Sequence, residues 1–141
     1  MNPETPLLLD THILFWFMTK DSRLSASHVN TIGKSVAGSR VKISVISIWE
    51  LAMLEMKGRI VFSMDLTEWV KRAIAAPGFS LAPLTPDIAI DSTRLPGEFH
   101  GDPADRILVA TARILNAEIL TRDQKILGYA RQKHVRAVSA A

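Results

Sequence analysis

Four acidic residues stand where strand-like or loop segments give way to helices. They are Asp10 in Leu7-Leu8-Leu9-Asp10-Thr11, Glu50 in Ser47-Ile48-Trp49-Glu50-Leu51, Asp105 in Asp102-Pro103-Ala104-Asp105-Arg106, and Asp123 in Leu120-Thr121-Arg122-Asp123. In an open parallel sheet the carboxyl ends of the strands line one crevice, so all four side chains can reach a common pocket. Carboxylates gathered there repel one another. A hard divalent cation such as Mg²⁺ relieves that repulsion, and such an ion can catalyse phosphodiester hydrolysis.

Each acid also has a local explanation. Asp10 can cap the helix after its strand. Glu50 stands three residues after Ser47, as in a capping box. Asp105 follows Asp102 by three and complements a helix start, and Asp123 occupies a first turn after Thr121. The two readings are compatible, because a helix amino terminus lowers the cost of gathering negative charge. Asp102 is open between capping its helix and supporting a metal site from behind the ligands.

Arg106 and Arg122 flank the acids and read either as phosphate contacts or as partners of nearby carboxylates. Lys57, Arg59, Lys71 and Arg72 read as solvated faces, with a basic rim as the alternative. His12 and His100 read as structural and stay outside the catalytic set. For Phe15, Trp16, Phe17 and Trp49, core packing is the default.

Alternating periodicities must position these groups. Pro6 to Asp10 reads as a buried strand, followed by helical spacing over 11–19 and 25–37. Val41 to Val45 has β-branched strand character, and Ser47 to Lys57 is helical with Gly58 as its stop. Helices are expected over 65–76 and 86–93, with a strand over 79–82 between them. A loop through Pro96-Gly97 and His100-Gly101 leads to a helix over 103–115, with Pro103 at its first position. A strand over 118–120, a helix over 123–131 and a candidate strand over 135–138 complete the pattern. Strands alternating with helices predict an α/β chain with a parallel sheet. The tail Ser139-Ala140-Ala141 is expected to fray.

At 141 residues, this is one domain spanning 1–141. Such a chain buries about two-thirds of its unfolded surface and needs no disulfide or structural metal. Absence of cysteine excludes zinc-thiolate sites and thiol catalysis. The longest apolar run, Ile13 to Met18, is far short of the ~20 residues of a membrane helix, and no secretory pattern opens the chain. No membrane association and a cytoplasmic location are the expectations. A formal charge of +3 mildly favours a polyanionic partner. Neither a Gly-x-Ser-x-Gly nucleophile turn nor a Gly-rich phosphate loop is present.

The four acidic blocks, extended to Leu8–Trp16, Ser47–Ala52, Asp102–Ala112 and Leu120–Asp123, occur in an order and spacing that resemble PIN-domain ribonucleases. More narrowly, they resemble the toxin of a VapBC-type toxin–antitoxin pair. The resemblance implies a three-layer α/β/α sandwich around a parallel sheet of four to five strands. It also implies that Asp10, Glu50, Asp105 and Asp123 form a catalytic pocket for Mg²⁺ or Mn²⁺. Thr11 and Thr121 carry over as polar groups bonding the carboxylates or a metal-held water. An aromatic residue is frequent in the family where this chain has Ala104, and a three-residue shift in alignment would exchange Asp102 and Asp105.

The implied activity is metal-dependent cleavage of RNA. The implied partners are an RNA substrate, a VapB-type antitoxin whose segment lies in a groove near the site, and a second copy in a homodimer. RNA maturation, DNA processing, and a non-catalytic module holding RNA or antitoxin are the alternatives.

Overall fold

Leu7, Leu8 and Leu9 are all buried, as a central parallel strand covered on both faces requires. This strand, β1 (Leu7–Leu9), pairs on one side with β2 (Val41–Ser44) and on the other with β4 (Glu118–Thr121). Outside them lie β3 (Phe79–Ala82) and β5 (Arg136–Ser139), giving the order β3-β2-β1-β4-β5, parallel throughout. The computed structural model describes residues 4–141.

Seven helices connect the strands among the described residues: α1 (Thr11–Thr19), α2 (Ala26–Ala37), α3 (Val45–Met56), α4 (Leu66–Ala75), α5 (Pro86–Asp91), α6 (Pro103–Leu115) and α7 (Gln124–Arg131). The pleat sends alternate strand residues to opposite faces. Leu7, Leu9, Val41, Ile43 and Leu120 pack with Ile13, Leu14, Ile32, Leu51 and Trp69. Leu8 and Ile119 pack instead with Ile88, Leu108, Val109, Ile126 and Tyr129. The result is the expected three-layer α/β/α sandwich with five strands. Among the described residues, no helix is long and apolar enough to cross a membrane.

Strand order grows outward in both directions from the β1–β4 pair. The chain after β1 and the chain after β4 therefore diverge at one place, which leaves a crevice above their carboxyl ends. Asp10 follows β1 directly and Asp123 follows β4 by two residues, so topology alone brings them to this crevice.

Two local expectations fail. Helix α3 is not capped by Ser47. Ser44 caps it, its hydroxyl accepting from the Ile46 N–H at 3.1 Å, and Ser47 lies buried inside the first turns. The apolar run Val45-Ile46 continues into the helix, so the helix starts as soon as a side-chain oxygen can satisfy its first donors. The carboxyl-terminal tail does not fray. Ser139 pairs in β5, Ala140 is fully buried, its N–H donates to Thr121 O at 2.8 Å, and its carbonyl accepts from Arg122 Nε at 2.9 Å. Truncation after Ser139 removes both bonds and a core methyl; it is expected to cost about 1–3 kcal/mol in urea unfolding. An unchanged midpoint would contradict this packing.

Candidate metal and phosphodiester site

Helix starts position the acids. Asp10 is the N-cap of α1, and its Oδ1 accepts from the Thr11 N–H at 2.7 Å. Asp123 is the N-cap of α7, with its Oδ1 accepting from Lys125 and Ile126 N–H at 2.8 and 3.1 Å. Asp102 caps α6 by accepting from the Asp105 N–H at 2.8 Å, and Asp105 sits in that helix's first turn. Glu50 projects from the middle of α3, so it alone is not held by a helix end. Capping and clustering thus coincide at Asp10 and Asp123, and the two readings of these acids do not compete.

A run of hydrogen bonds ties the cluster together. Asp123 N–H donates to Thr121 Oγ1 at 2.9 Å, and the Thr121 hydroxyl donates to Asp10 Oδ2 at 2.5 Å. On the other side of Asp10, the Thr11 hydroxyl donates to Glu50 Oε1 at 2.6 Å and shares a bond with Ser47 Oγ at 3.1 Å. Thr11, Thr121 and Ser47 are buried, so each carboxylate they hold has little freedom to rotate away. Sequence spacing assigns Ser47 to a cap. Its place behind Thr11 depends on α1 packing against α3 and leaves no local signal.

Electrostatics shows that the acids sense one another. Burial pushes the Asp10 carboxyl above its ordinary range; the Thr121 and Thr11 bonds oppose that, and Asp123 adds repulsion. Glu50 is raised by burial too, opposed by the Thr11 hydroxyl and raised further by Asp10, Asp102 and Asp123. Asp105 is pushed up to about 7, first by burial, then by Asp102, Asp123, Asp10 and Glu50. Its nearest cation, Lys125 Nζ, is 4.0 Å away on a largely exposed side chain, too solvated to neutralise it. Acids from four separate segments therefore share one electrostatic environment.

The donor set fits a hard divalent cation: all candidate ligands are carboxylate oxygens, and the cation closest to Asp105, Lys125, is largely solvated. Among the described residues, however, no three acid or imidazole side chains already converge as a closed ligand group. The carboxylates surround two openings. Asp10 and Asp123 line a cavity of about 370 Å³ with His12, Trp16 and Arg122. Glu50 and Asp102 line a second cleft along α3.

Both flanking arginines donate to backbone carbonyls. Arg106 donates to Ser92 O at 2.9 Å and Phe99 O at 2.8 Å, fixing the α5–α6 loop; among the described residues it forms no ion pair and lines neither opening. Arg122 donates to Ala140 O at 2.9 Å and to Arg23 O, and its guanidinium lies 4.7 Å from the centre of the Trp16 ring. A guanidinium satisfies buried carbonyls with several donors at once, and loop carbonyls near a sheet edge need them. His12 is exposed, 5.8 Å from Trp16 ring to ring, and His100 is exposed beside Glu98. Trp49, expected in the core, is 53% exposed.

Gly101 is a further residue that sequence reasoning leaves in an unremarkable loop. A Cβ there would lie 2.8 Å from Asp105 Cβ and 2.3 Å from Phe99 Cε2. Only glycine lets the chain pass so near the Asp105 side chain.

Thr121→Val tests the hydrogen-bonded run. It leaves the Asp123 N–H without its acceptor and Asp10 without its donor, so about 1–3 kcal/mol of stability should be lost in urea unfolding. The Asp10 carboxyl should rise further, because the lost bond favours its ionised form. A variant as stable as the parent would show that the run does not hold the site.

Residues 7–132 match the PIN domain family. The chain is 30% identical over 135 residues to ribonuclease VapC22 of Mycobacterium tuberculosis, covering 96% of this chain and 98% of that protein. Its fold resembles the VapBC2 complex of Rickettsia felis bound to a promoter DNA fragment, with TM-score 0.68 and 15% identity over 96% of this chain and 98% of that one. DNA-bound VapBC of Salmonella typhimurium gives TM-score 0.67 and 17% identity over 97% and 99%. PIN-domain nucleases generally use a divalent metal. Whole-length sequence identity to one relative and a shared sandwich in the others lead to one conclusion: the chain belongs to the PIN-domain family.

Proposed function

We propose that this protein is a metal-dependent endoribonuclease and the toxin of a VapBC-type toxin–antitoxin pair, acting in the cytoplasm. The observation that carries the reading is the hydrogen-bonded run through Thr121 and Thr11 that links Asp123, Asp10 and Glu50, beside carboxyls at Asp10, Glu50 and Asp105 that are raised first by burial and then by neighbouring acids. Identity to a ribonuclease along nearly the full length supports the same reaction.

Asp10, Glu50, Asp105 and Asp123 would hold Mg²⁺ or Mn²⁺. When bound, the ion supplies charge stabilisation at the scissile phosphate and eases ionisation of water. The chain's own residues do the positioning. Thr121 orients Asp10, Thr11 orients Glu50, and the α1 and α7 amino termini moderate the repulsion between Asp10 and Asp123. Gly101 lets the loop close beside Asp105. Asp102 keeps the α6 start in place from the exposed rim.

The partners we propose are RNA, a VapB-type antitoxin and a second copy of the chain. The Rickettsia felis and Salmonella typhimurium structures are VapBC complexes, which supports an antitoxin partner. The test is incubation with total RNA in Mg²⁺, Mn²⁺ or EDTA, with Glu50→Gln as control. Cleavage that requires both the metal and Glu50 is expected; equal cleavage by the Glu50→Gln variant would refute the site. Expression should arrest growth, and co-expression of a small neighbouring open reading frame should relieve the arrest. Unimpeded growth with active enzyme would favour RNA maturation over a toxin.

A further inference from the structure

Trp49 sits beside Glu50 on α3, yet it does not join the core. Ile48 and Leu51 on the same helix pack inward, whereas the Trp49 indole is 53% exposed. It lines a cleft of about 300 Å³ with Glu50, Met53, Lys57, Arg59 and Pro103. Trp49, Met53 and Lys57 follow one another at intervals of four and so share a face of the helix. At 1.5 Å per residue, that face carries the cleft about 12 Å from the acid cluster to its basic end.

Lys57 and Arg59 are exposed, and among the described residues neither side chain makes an ion pair or a side-chain hydrogen bond. The cleft thus has three zones: carboxylates at one end, an open aromatic face in the middle, and two unpaired cations at the other end. Single-stranded nucleic acid is recognised by this combination, a π-face for a base and cations for the backbone. An apolar protein partner would have to desolvate both cations without compensation.

We propose that this cleft is a nucleotide subsite: the Trp49 indole stacks on a base of single-stranded RNA next to the scissile phosphate, and Lys57 and Arg59 hold the phosphate beyond it. The inference rests on the ribonuclease reading above. Stacking on an indole is sequence-tolerant, so the subsite strengthens binding without choosing a base.

The experiment is steady-state cleavage of a mixed-sequence single-stranded RNA oligonucleotide by the full chain. Trp49→Ala should raise KM by about 10-fold, the value of one stacked base, with kcat changing by less than about 3-fold. Trp49→Phe, which keeps a π-face, should recover most of the loss. Lys57→Ala with Arg59→Ala should raise KM and reduce the steepness of the salt dependence by about 1 in log–log slope. Parental KM in Trp49→Ala would overturn the proposal. So would a loss of activity that tracks dissociation of a dimer in size-exclusion chromatography with light scattering, because the indole would then be a self-association contact. Cleavage by the parent protein in the same assay reports separately on the ribonuclease reading.

Discussion

The Asp105→Asn exchange is expected to lower metal-dependent RNA cleavage by about 10²–10³-fold, the scale of losing one electrostatic group from an active site. In EDTA at pH 8 the same variant should unfold at a higher temperature than the parent. Both effects come from one cause. Asp105 is half-buried among Asp102, Asp123, Asp10 and Glu50, and its carboxyl titrates near 7. Above that pH, the metal-free fold must hold an ionised group that it disfavours. An asparagine side chain has nearly the same shape and no charge. Among the described residues the Asp105 side chain accepts no hydrogen bond and approaches only Lys125, at 4.0 Å, so little is lost by the exchange. With solvent screening of the half-buried group allowed for, the gain should reach about 2–4 kcal/mol, or roughly 7–14 °C in Tm for a domain of this size. Calorimetry and an RNA cleavage assay on the same samples check both halves. An Asp105→Asn protein that is less stable in EDTA, or that still cuts RNA at the parental rate, would remove Asp105 from the cluster.

The second expected result concerns pH and metal together. An aspartate whose carboxyl is raised in the folded state binds a proton more readily there than in the unfolded chain. Its contribution to stability is therefore complete below its ordinary value of 3.8 and is lost as pH rises to about 7. Asp10 and Glu50 are displaced in the same direction. Metal-free protein should thus lose stability from pH 4 to 8, where many proteins are flat. Protons and the cation compete for the same oxygens, so Mg²⁺ or Mn²⁺ should stabilise little at pH 5 and strongly at pH 8. A concentration 100 times the dissociation constant adds about 2.7 kcal/mol. Thermal unfolding in EDTA and in millimolar metal, at pH 5, 6, 7 and 8, reads the effect directly. A metal shift of equal size at every pH would mean that the ion binds elsewhere.

These results depend on features of unequal visibility in the sequence. The strands and helices are legible because burial and periodicity are local patterns. Three consecutive leucines before Asp10 announce a doubly covered strand, and Asp102-Pro103 announces a helix start. The failures share one feature: competing partners lie far away in the chain. Ser47 has the spacing of a cap because Glu50 stands three residues on, but its hydroxyl meets Thr11, 36 positions earlier. Arg106 and Arg122 read either as phosphate contacts or as carboxylate partners; no local pattern records the carbonyls at Ser92, Phe99 and Ala140 that accept from them, while Arg122 also lines the cavity of Asp10 and Asp123. The tail reads as frayed because it is short and small, but Ala140 is buried and its N–H bonds Thr121 O, 19 positions earlier.

By itself, the sequence determined the alternation of elements and the placing of Asp10, Asp105 and Asp123 at or near helix starts. Those depend on residue type and spacing over a few positions, where propensity and capping act. Tertiary structure decided which bonds connect the acids, Thr121 to Asp10 and Thr11 to Glu50 with Ser47 behind it, how far burial raises their carboxyls, and that Trp49 faces outward beside them. The reason is range: an Asp carboxyl rises only when other segments exclude water from it and bring charge within a few ångströms, and no local pattern records which segments those are.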